Sequence, residues 1–168
     1  TIRREGDVWS IEPITEFREA HVDCGLAGTV MRFVPLLAAL SEHPTRFDGD
    51  ERAYERPMGA TINTLRDLGA IVEDEGRNTL PFTVQGTSEV RGGTLSVDAS
   101  ASSQFVSALL LIAARLDEGL TLEHTGDRLP SLPHIDMTVT ELTRRGVKVE
   151  PSAGRWRVSP GAISGIDT

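Results

Sequence analysis

The stretch GDERAYERPMGATINTLRDLGAIVE (residues 49–73) decides the fold, because it recurs as GDRLPSLPHIDMTVTELTRRGVKVE (residues 126–150). At a fixed offset of 77, without gaps, Gly49-Asp50 meets Gly126-Asp127. Met58, Ile62, Leu65, Gly69, Val72 and Glu73 then meet Ile135, Val139, Leu142, Gly146, Val149 and Glu150. Apolar residues at i, i+4 and i+7 predict a one-faced helix in each copy, over Pro57–Leu68 and Pro133–Arg145, followed by a strand. Pro57 and Pro133 suit a first helical position, and Gly69 and Gly146 suit the left-handed position just past the helix end. Self-similarity at a fixed period is the mark of a repeat architecture.

Working outward, a second marker occurs three times: Trp9-Ser10-Ile11-Glu12-Pro13, Phe82-Thr83-Val84-Gln85-Gly86 and Trp156-Arg157-Val158-Ser159-Pro160. Each alternates bulky and polar residues and ends in a turn former, which predicts a strand with one buried face. After the first two markers comes a strand ending in Asp, at Asp23 and Asp98, then a small-residue turn and a long apolar helix. These helices, Thr29–Leu40 and Ser102–Leu116, are apolar nearly all round and are expected to be buried on every side. Pro35 is expected to kink or break the first of them. One unit thus reads strand, helix, strand, helix, strand, strand. The chain divides into the closing strand of one unit (1–14), two nearly complete units (15–88 and 89–160) and a tail (161–168). The fold class is α/β of the α+β type: repeated βαβαββ units, helices inside and sheets outside, forming part of a domain.

With 168 residues, 39% hydrophobic and 25% charged, the composition is that of a globular domain with a core. No apolar run approaches the roughly 20 residues of a membrane span. The single cysteine, Cys24, excludes an internal disulfide or a cysteine metal cluster and fits a reducing cytoplasm; in this setting it reads as a small buried residue. No leader-like apolar segment follows Arg3-Arg4, and the missing initial Met places the expected native start upstream. A net charge of −8 argues against non-specific nucleic-acid binding but leaves anionic small molecules open.

Four segments offer groups for an anion. Ala27-Gly28-Thr29-Val30-Met31-Arg32 opens a helix after a strand, so free helix amides, a glycine and the Arg32 guanidinium converge. The same residues also read as a plain glycine turn with a Thr cap and a surface Arg. Ser100, Ser102, Ser103 and Gln104 occupy the equivalent turn of the next unit and form a donor cluster suited to phosphate or a polyol; an N-cap serine is the simpler reading. Arg52 and Arg56 precede a helix, and arginine suits bidentate carboxylate or phosphate contact; a solvated loop is the alternative. Ser131 and His134 sit at the matching place in the later unit, His134 without an evident carboxylate partner. No Walker loop, zinc spacing, nucleophile elbow or dinucleotide fingerprint occurs.

Taken together, Leu26–Arg32, Asp48-Gly49-Asp50 with Glu55-Arg56-Pro57, Ser102-Ser103-Gln104-Phe105, and Gly126-Asp127 with Ser131 and Pro133-His134-Ile135-Asp136 resemble the 5-enolpyruvylshikimate-3-phosphate synthases, in an actinobacterial-like form. The resemblance implies two domains of three βαβαββ units each, of which this chain would be the later part of the first. It implies transfer of the enolpyruvyl group of phosphoenolpyruvate to the 5-hydroxyl of shikimate 3-phosphate, without metal or redox cofactor. By position, Ser102, Ser103 and Ser131 would bind the phosphate of shikimate 3-phosphate, with His134 beside the shikimate where the family often has an aromatic ring. Gln104 would lie between the substrates; Gly28 and Arg56 would contact phosphoenolpyruvate, with Thr29 and Arg32 shaping that pocket. Leu26 stands where an Asn is common, and Phe33 where a Pro often follows the motif arginine, at a turn that affects the inhibitor glyphosate. The family's acid and base residues belong to the second domain, so no catalytic residue is assigned here, and the chain alone is expected to turn over no substrate. The sister UDP-N-acetylglucosamine enolpyruvyl transferase, which uses a loop cysteine, and a non-catalytic repeat module are the alternatives.

Overall fold

The computed structural model describes residues 2–12 and 17–165. A hairpin of β1 (Ile2–Glu5) and β2 (Val8–Ile11) comes first. The first full unit follows as β3 (Ala20–Asp23), α1 (Gly28–Ala38), β4 (Thr45–Asp48), α2 (Gly59–Asp67), β5 (Ile71–Glu73) and β6 (Phe82–Gln85). The second repeats it as β7 (Gly93–Val97), α3 (Gln104–Ala113), β8 (Leu120–His124), α4 (Leu132–Arg144), β9 (Val149–Ser152) and β10 (Arg155–Val158). Each unit builds its own four-stranded sheet in the same order, β3-β4-β6-β5 and β7-β8-β10-β9. The first two strands of each are parallel and the others antiparallel.

That topology fixes the helix directions. A parallel pair needs a crossover, so α1 and α3 run back from the carboxyl ends of β3 and β7 to the starts of β4 and β8. β5 and β9 lie parallel to β4 and β8 by two antiparallel steps, so α2 and α4 also run back. In each unit both helices therefore begin at the carboxyl ends of the parallel strands.

The 77-residue correspondence appears as matched core positions. Met58 and Ile135 are both sealed from solvent, as are Leu65 and Leu142. Gly69 and Gly146 adopt φ of +94° and +83° past the ends of α2 and α4, as the helix-stop pattern requires. The inner faces of β6 and β10 bury Phe82, Val84, Trp156 and Val158, and Phe47 stacks on Phe82 at 5.3 Å.

Helix α3 buries eight of its ten residues, leaving Leu111 exposed, which matches a helix apolar nearly all round. Helix α1 departs from that expectation. Met31, Pro35, Leu36 and Ala38 are buried, but Leu37 is 46% exposed and Phe33 and Val34 are only half-buried. Its outer face is only partly covered: Phe33 and Val34 pack at the margin of the core, and Leu37 lines a cavity shared with Leu111. Pro35 does not break the helix: Met31 N–H donates to Ala27 O and Ala39 N–H to Pro35 O, both at 3.1 Å, so the turns on both sides close and Pro35 itself is buried. Pro57 is not a first helical residue. The Met58 amide donates to Asn78 O at 2.8 Å, which holds Met58 outside the helix and moves its start to Gly59. Pro133 does fall in the first turn of α4. The Trp9 marker forms strand β2 as expected, but without a buried face: Trp9 and Ile11 are more than 60% exposed, and among the described residues β2 pairs with β1 alone. Pro13, the 14/15 boundary and the last three residues of the tail lie outside the described residues.

Candidate anion cleft at the helix starts

The two units are joined at the end where their helices begin. Arg32, one turn into α1, donates from Nη1 to Oε1 of Gln104, the first residue of α3, at 3.1 Å. The same nitrogen reaches the Gly28 carbonyl at 3.4 Å, and the guanidinium carbon lies 5.8 Å from the centre of the Phe105 ring. Arg56 Nη1 donates to the Leu26 carbonyl at 2.9 Å. Both arginines meet over Gly28: a Cβ built there would lie 3.0 Å from Arg32 Nη1 and 3.1 Å from Arg56 Nη1. Glycine at this position is what lets two guanidinium groups close over the first amides of α1, where the helix carries partial positive charge.

Arg32 Nε is sealed from solvent and has no hydrogen-bond partner, one of two such side-chain atoms among the described residues. A buried unpaired donor costs about 1–3 kcal/mol. A donor of this kind, beside a second arginine and open helix amides, is the arrangement an incoming carboxylate or phosphate would complete.

The loop that carries Arg56 is tied down from several sides. Asp48 accepts from the Tyr54 hydroxyl at 2.6 Å and from the Gly49 amide at 2.9 Å. The Tyr54 bond is the main reason the Asp48 carboxyl titrates below its usual range, against a smaller opposing effect of burial. The Asp50 amide donates to Gly25 O at 3.2 Å, joining this loop to the turn ahead of α1.

Ser102, Ser103 and Gln104 stand together at the start of α3. Ser103 is the N-cap residue, yet its side chain makes no cap bond; instead the Gln104 amide donates to Ser102 Oγ at 3.2 Å. Asp98 closes the turn by accepting from the Ser100 amide at 2.9 Å. Helix α3 therefore begins at Gln104, not at Ser102. Ser131 caps α4 in a left-handed conformation, φ 53° and ψ 46°, again with no side-chain cap bond. Thr138 Oγ1 donates to Ser107 Oγ at 3.1 Å, packing the first turns of α4 against those of α3. Ser131 and His134 are exposed at that end and make no direct bond to the Arg32–Gln104 group; Thr29 is exposed on the first turn of α1. Gly28, Arg32, Arg56 and Gln104 are thus brought into contact, whereas Ser131 and His134 share the same end of the helix layer. The alternative Thr cap at α1 is absent: Ala27 holds the N-cap position without a side-chain bond.

The EPSP synthase (3-phosphoshikimate 1-carboxyvinyltransferase) family model matches residues 1–167. The chain belongs to the EPSP synthase family. It is 58% identical over 146 residues to the 3-phosphoshikimate 1-carboxyvinyltransferase of Mycobacterium ulcerans, covering 86% of this chain and 33% of that protein. The chain therefore spans about a third of the length of this curated relative. Two solved structures of EPSP synthase from Acinetobacter baumannii superpose with a TM-score of 0.69 at 22% identity, covering 92% of this chain and 32% and 33% of theirs. That likeness shows the enolpyruvyl transferase fold.

Within the EPSP synthase family frame, two sequence features acquire a place. The Leu26 side chain is 44% exposed, and what reaches Arg56 is its backbone carbonyl, which any residue supplies. Cys24 is 3% exposed, and burial first, then the charges of Asp23 and Asp48, push its thiol up. A protonated, buried thiol on the strand side lends nothing to a loop-cysteine chemistry. A cavity of about 500 Å³ lies at the opposite end of the helices, bounded by Leu37, Leu40, Leu111 and Ile112. None of the predicted site residues lines it. Its walls mix these apolar residues with Ser41, Thr87, Arg115 and two carboxylates, Glu42 and Asp117, so the helix starts, with two arginines, free amides and hydroxyls, are the better candidate for an anion. Among the described residues no helix is long and apolar enough to cross a membrane.

Proposed function

We propose that this chain forms part of the first domain of a 3-phosphoshikimate 1-carboxyvinyltransferase and supplies one wall of its substrate cleft. In the reaction, the 5-hydroxyl of shikimate 3-phosphate adds to C2 of phosphoenolpyruvate while C3 takes a proton. The hydroxyl gives up its proton in that step; the tetrahedral intermediate then loses a proton from its C3 methyl and inorganic phosphate from C2, leaving the enol ether. Nothing in this scheme draws on a metal or redox group. The observation that carries the reading is the meeting of Arg32 and Arg56 over Gly28, with the buried Arg32 Nε unpaired and Nη1 tied to Gln104.

In this reading Gly28 and Arg56 contact phosphoenolpyruvate, with Thr29 and Arg32 shaping its pocket. Ser102, Ser103 and Ser131 hold the phosphate of shikimate 3-phosphate, and His134 lies beside its ring. Gln104 stands between the substrates, consistent with its bond to Arg32. Preorganised donors of this kind act by fixing negative charge where it must react, in a cleft that a second domain would close against water. The remaining part of the protein is the proposed partner, and it would bring the acid and base groups.

Two measurements test this. Calorimetry of the chain with shikimate 3-phosphate should give weak binding, of millimolar order; absence of heat at several millimolar contradicts the site. Phosphate release by the isolated chain from both substrates should not exceed a heat-killed blank, and release above it would refute the partial-cleft reading.

Gly28→Ala separates binding from stability. Gly28 has no left-handed φ, so alanine suits the helix and should change stability by less than about 1 kcal/mol, in the favourable direction. The added methyl must push back two guanidinium groups that are already at 3.0 and 3.1 Å. In the full-length protein KM for phosphoenolpyruvate should rise about tenfold, roughly 1.4 kcal/mol, with a melting temperature that does not fall.

A further inference from the structure

The internal repeat supplies its own comparison at one position that no part of the proposed mechanism uses. His124 ends β8 and pairs with Val97 in the parallel ladder. By the 77-residue offset its counterpart is Phe47, which pairs with Val22 and is wholly buried in the core. One unit thus places a phenyl ring at this inward position and the other an imidazole. Next to Phe47, the Cys24 amide donates to the Asp48 carbonyl at 2.8 Å, a bond from backbone to backbone. Next to His124, the equivalent amide, Ala99, donates instead to His124 Nδ1 at 3.2 Å. An Nδ1 that accepts must be unprotonated, so in the neutral ring the proton sits on Nε2, and Nε2 then donates to the Arg128 carbonyl at 3.1 Å.

The two bonds reach different loops. Ala99 begins the turn that leads through Ser102 and Ser103 to Gln104; Arg128 lies in the loop that leads to Ser131. The ring has close neighbours on its flank. A Cβ at Gly126 would lie 2.7 Å from His124 Cε1, 2.3 Å from Asp98 Oδ1 and 1.9 Å from Ser100 Oγ, so this glycine leaves the space that lets the imidazole and the Asp98–Ser100 turn pack together. The Asp98 carboxylate is the charged group facing the ring on this side; Glu123, the neighbour in the strand, is paired with Arg155.

We propose that His124 is a positioning residue: as the Nε2-protonated tautomer, its imidazole bridges the Ala99–Gln104 loop to the Arg128–Ser131 loop and sets the distance between the two serine groups that hold the phosphate of shikimate 3-phosphate. The inference rests on the proposed function for the identity of the ligand, but the bridge itself does not. The phosphoenolpyruvate side, built on α1 and the Arg56 loop, does not touch the ring and meets the bridged loops through the Arg32–Gln104 bond.

The test uses this chain. Side-chain ¹⁵N spectra taken at about pH 8, above the ordinary imidazole range of about 6.5, should show His124 Nδ1 bare and Nε2 protonated; the opposite tautomer overturns the proposal. Titration with shikimate 3-phosphate, followed at backbone amides, should show His124→Phe binding about tenfold more weakly, with phosphoenolpyruvate shifts at Gly28 and Thr29, which the bridged loops do not bond, unchanged. His124→Asn, whose Oδ1 can take the Nδ1 place toward Ala99, should recover part of the loss. Wild-type affinity in His124→Phe overturns the proposal. If the unsubstituted chain shows no shikimate 3-phosphate shifts at Ser102–Gln104 or Ser131, the ligand reading fails instead. The bridge is then judged by the substitution alone: His124→Phe or His124→Asn must move the Ser102–Gln104 and Ser131 amides together, and movement of neither refutes it.

Discussion

Replacing Arg32 by Ala in the full-length protein lowers kcat/KM for phosphoenolpyruvate at least a hundredfold, about 2.7 kcal/mol of lost transition-state binding. Three contacts give the size. Arg32 brings a full charge to the start of α1, where helix amides already favour an anion. It fixes Gln104 at 3.1 Å, so its loss frees a side chain that stands between the two proposed ligands. Its Nε has no partner in the protein, so a ligand oxygen is the acceptor it lacks. Charge-assisted hydrogen bonds of this kind contribute about 1.5–3 kcal/mol. Stability should move the other way or hardly at all, within about 1 kcal/mol, because the substitution removes a buried donor that the fold leaves unpaired. Arg52→Ala, an exposed residue of the nearby 3-10 turn, serves as the control and should leave kcat/KM within twofold. Equal losses in the two variants would show that bulk positive charge, not the geometry over Gly28, binds phosphoenolpyruvate.

Asp74→Ala gives the largest expected loss of stability, about 3 kcal/mol. The Asp74 side chain is 2% exposed and accepts from Arg66 Nη2 at 2.7 Å, the Gly76 amide at 3.1 Å and the Asn78 amide at 2.9 Å. Between them lie Glu75, Gly76 and Asn78, all at positive φ, a run that does not hold itself. The same turn presents the Asn78 carbonyl that positions the Met58 amide and hence the start of α2. Removing the carboxylate strands two amides, whereas Arg66, 41% exposed, can rehydrate; the net cost is set by the amides at about 2–3 kcal/mol. In a chain of this length that is about 8 °C in melting temperature.

The pH dependence has a definite sign. Burial raises the Asp74 carboxyl, but the Asn78 amide, Arg66 and the Gly76 amide together outweigh it and hold it below the ordinary value. A carboxyl depressed in the folded state stabilises fully above its unfolded pKa of about 3.9, and the contribution is lost as pH falls through the folded value. The gap between the parent chain and Asp74→Ala, measured by denaturant unfolding, should therefore be constant near neutrality and narrow below about pH 4. A gap that widened on acidification would contradict this account of Asp74.

Much of this fold was readable because the repeat acts on the core. Met58 and Ile135, or Leu65 and Leu142, recur at one offset because each copy must bury the same face on the same kind of sheet. Gly69 and Gly146 recur because the chain must turn through positive φ at the same point. What was not readable depends on neighbours. The hydrophobicity of α1 promised burial all round, but among the described residues Leu37 stays 46% exposed and Phe33 only half-buried. Periodicity cannot say which partners are present. Pro35 was expected to break a helix whose flanking hydrogen bonds in fact close, and Pro57 was displaced by a bond from Met58 to Asn78, twenty residues away. In the cleft, residue types alone suggested phosphate donors at Gly28, Arg56 and Ser102–Gln104. They could not reveal that Arg32 crosses to Gln104, nor that Ser131 takes a left-handed conformation. His124 and its tie to Ala99 were missed, although the offset that pairs it with Phe47 carried the signal: an imidazole where the sister unit has a core phenyl.

The most direct test of the central claim is an amide NMR titration of the described chain with shikimate 3-phosphate and then phosphoenolpyruvate. The account predicts shifts at Ser102–Gln104 and Ser131 for the first ligand and at Gly28–Arg32 and Arg56 for the second, one contiguous cleft at the helix starts. Shifts confined to Leu37, Leu40, Leu111 and Ile112 at the far end, or spread without a common face, would contradict it.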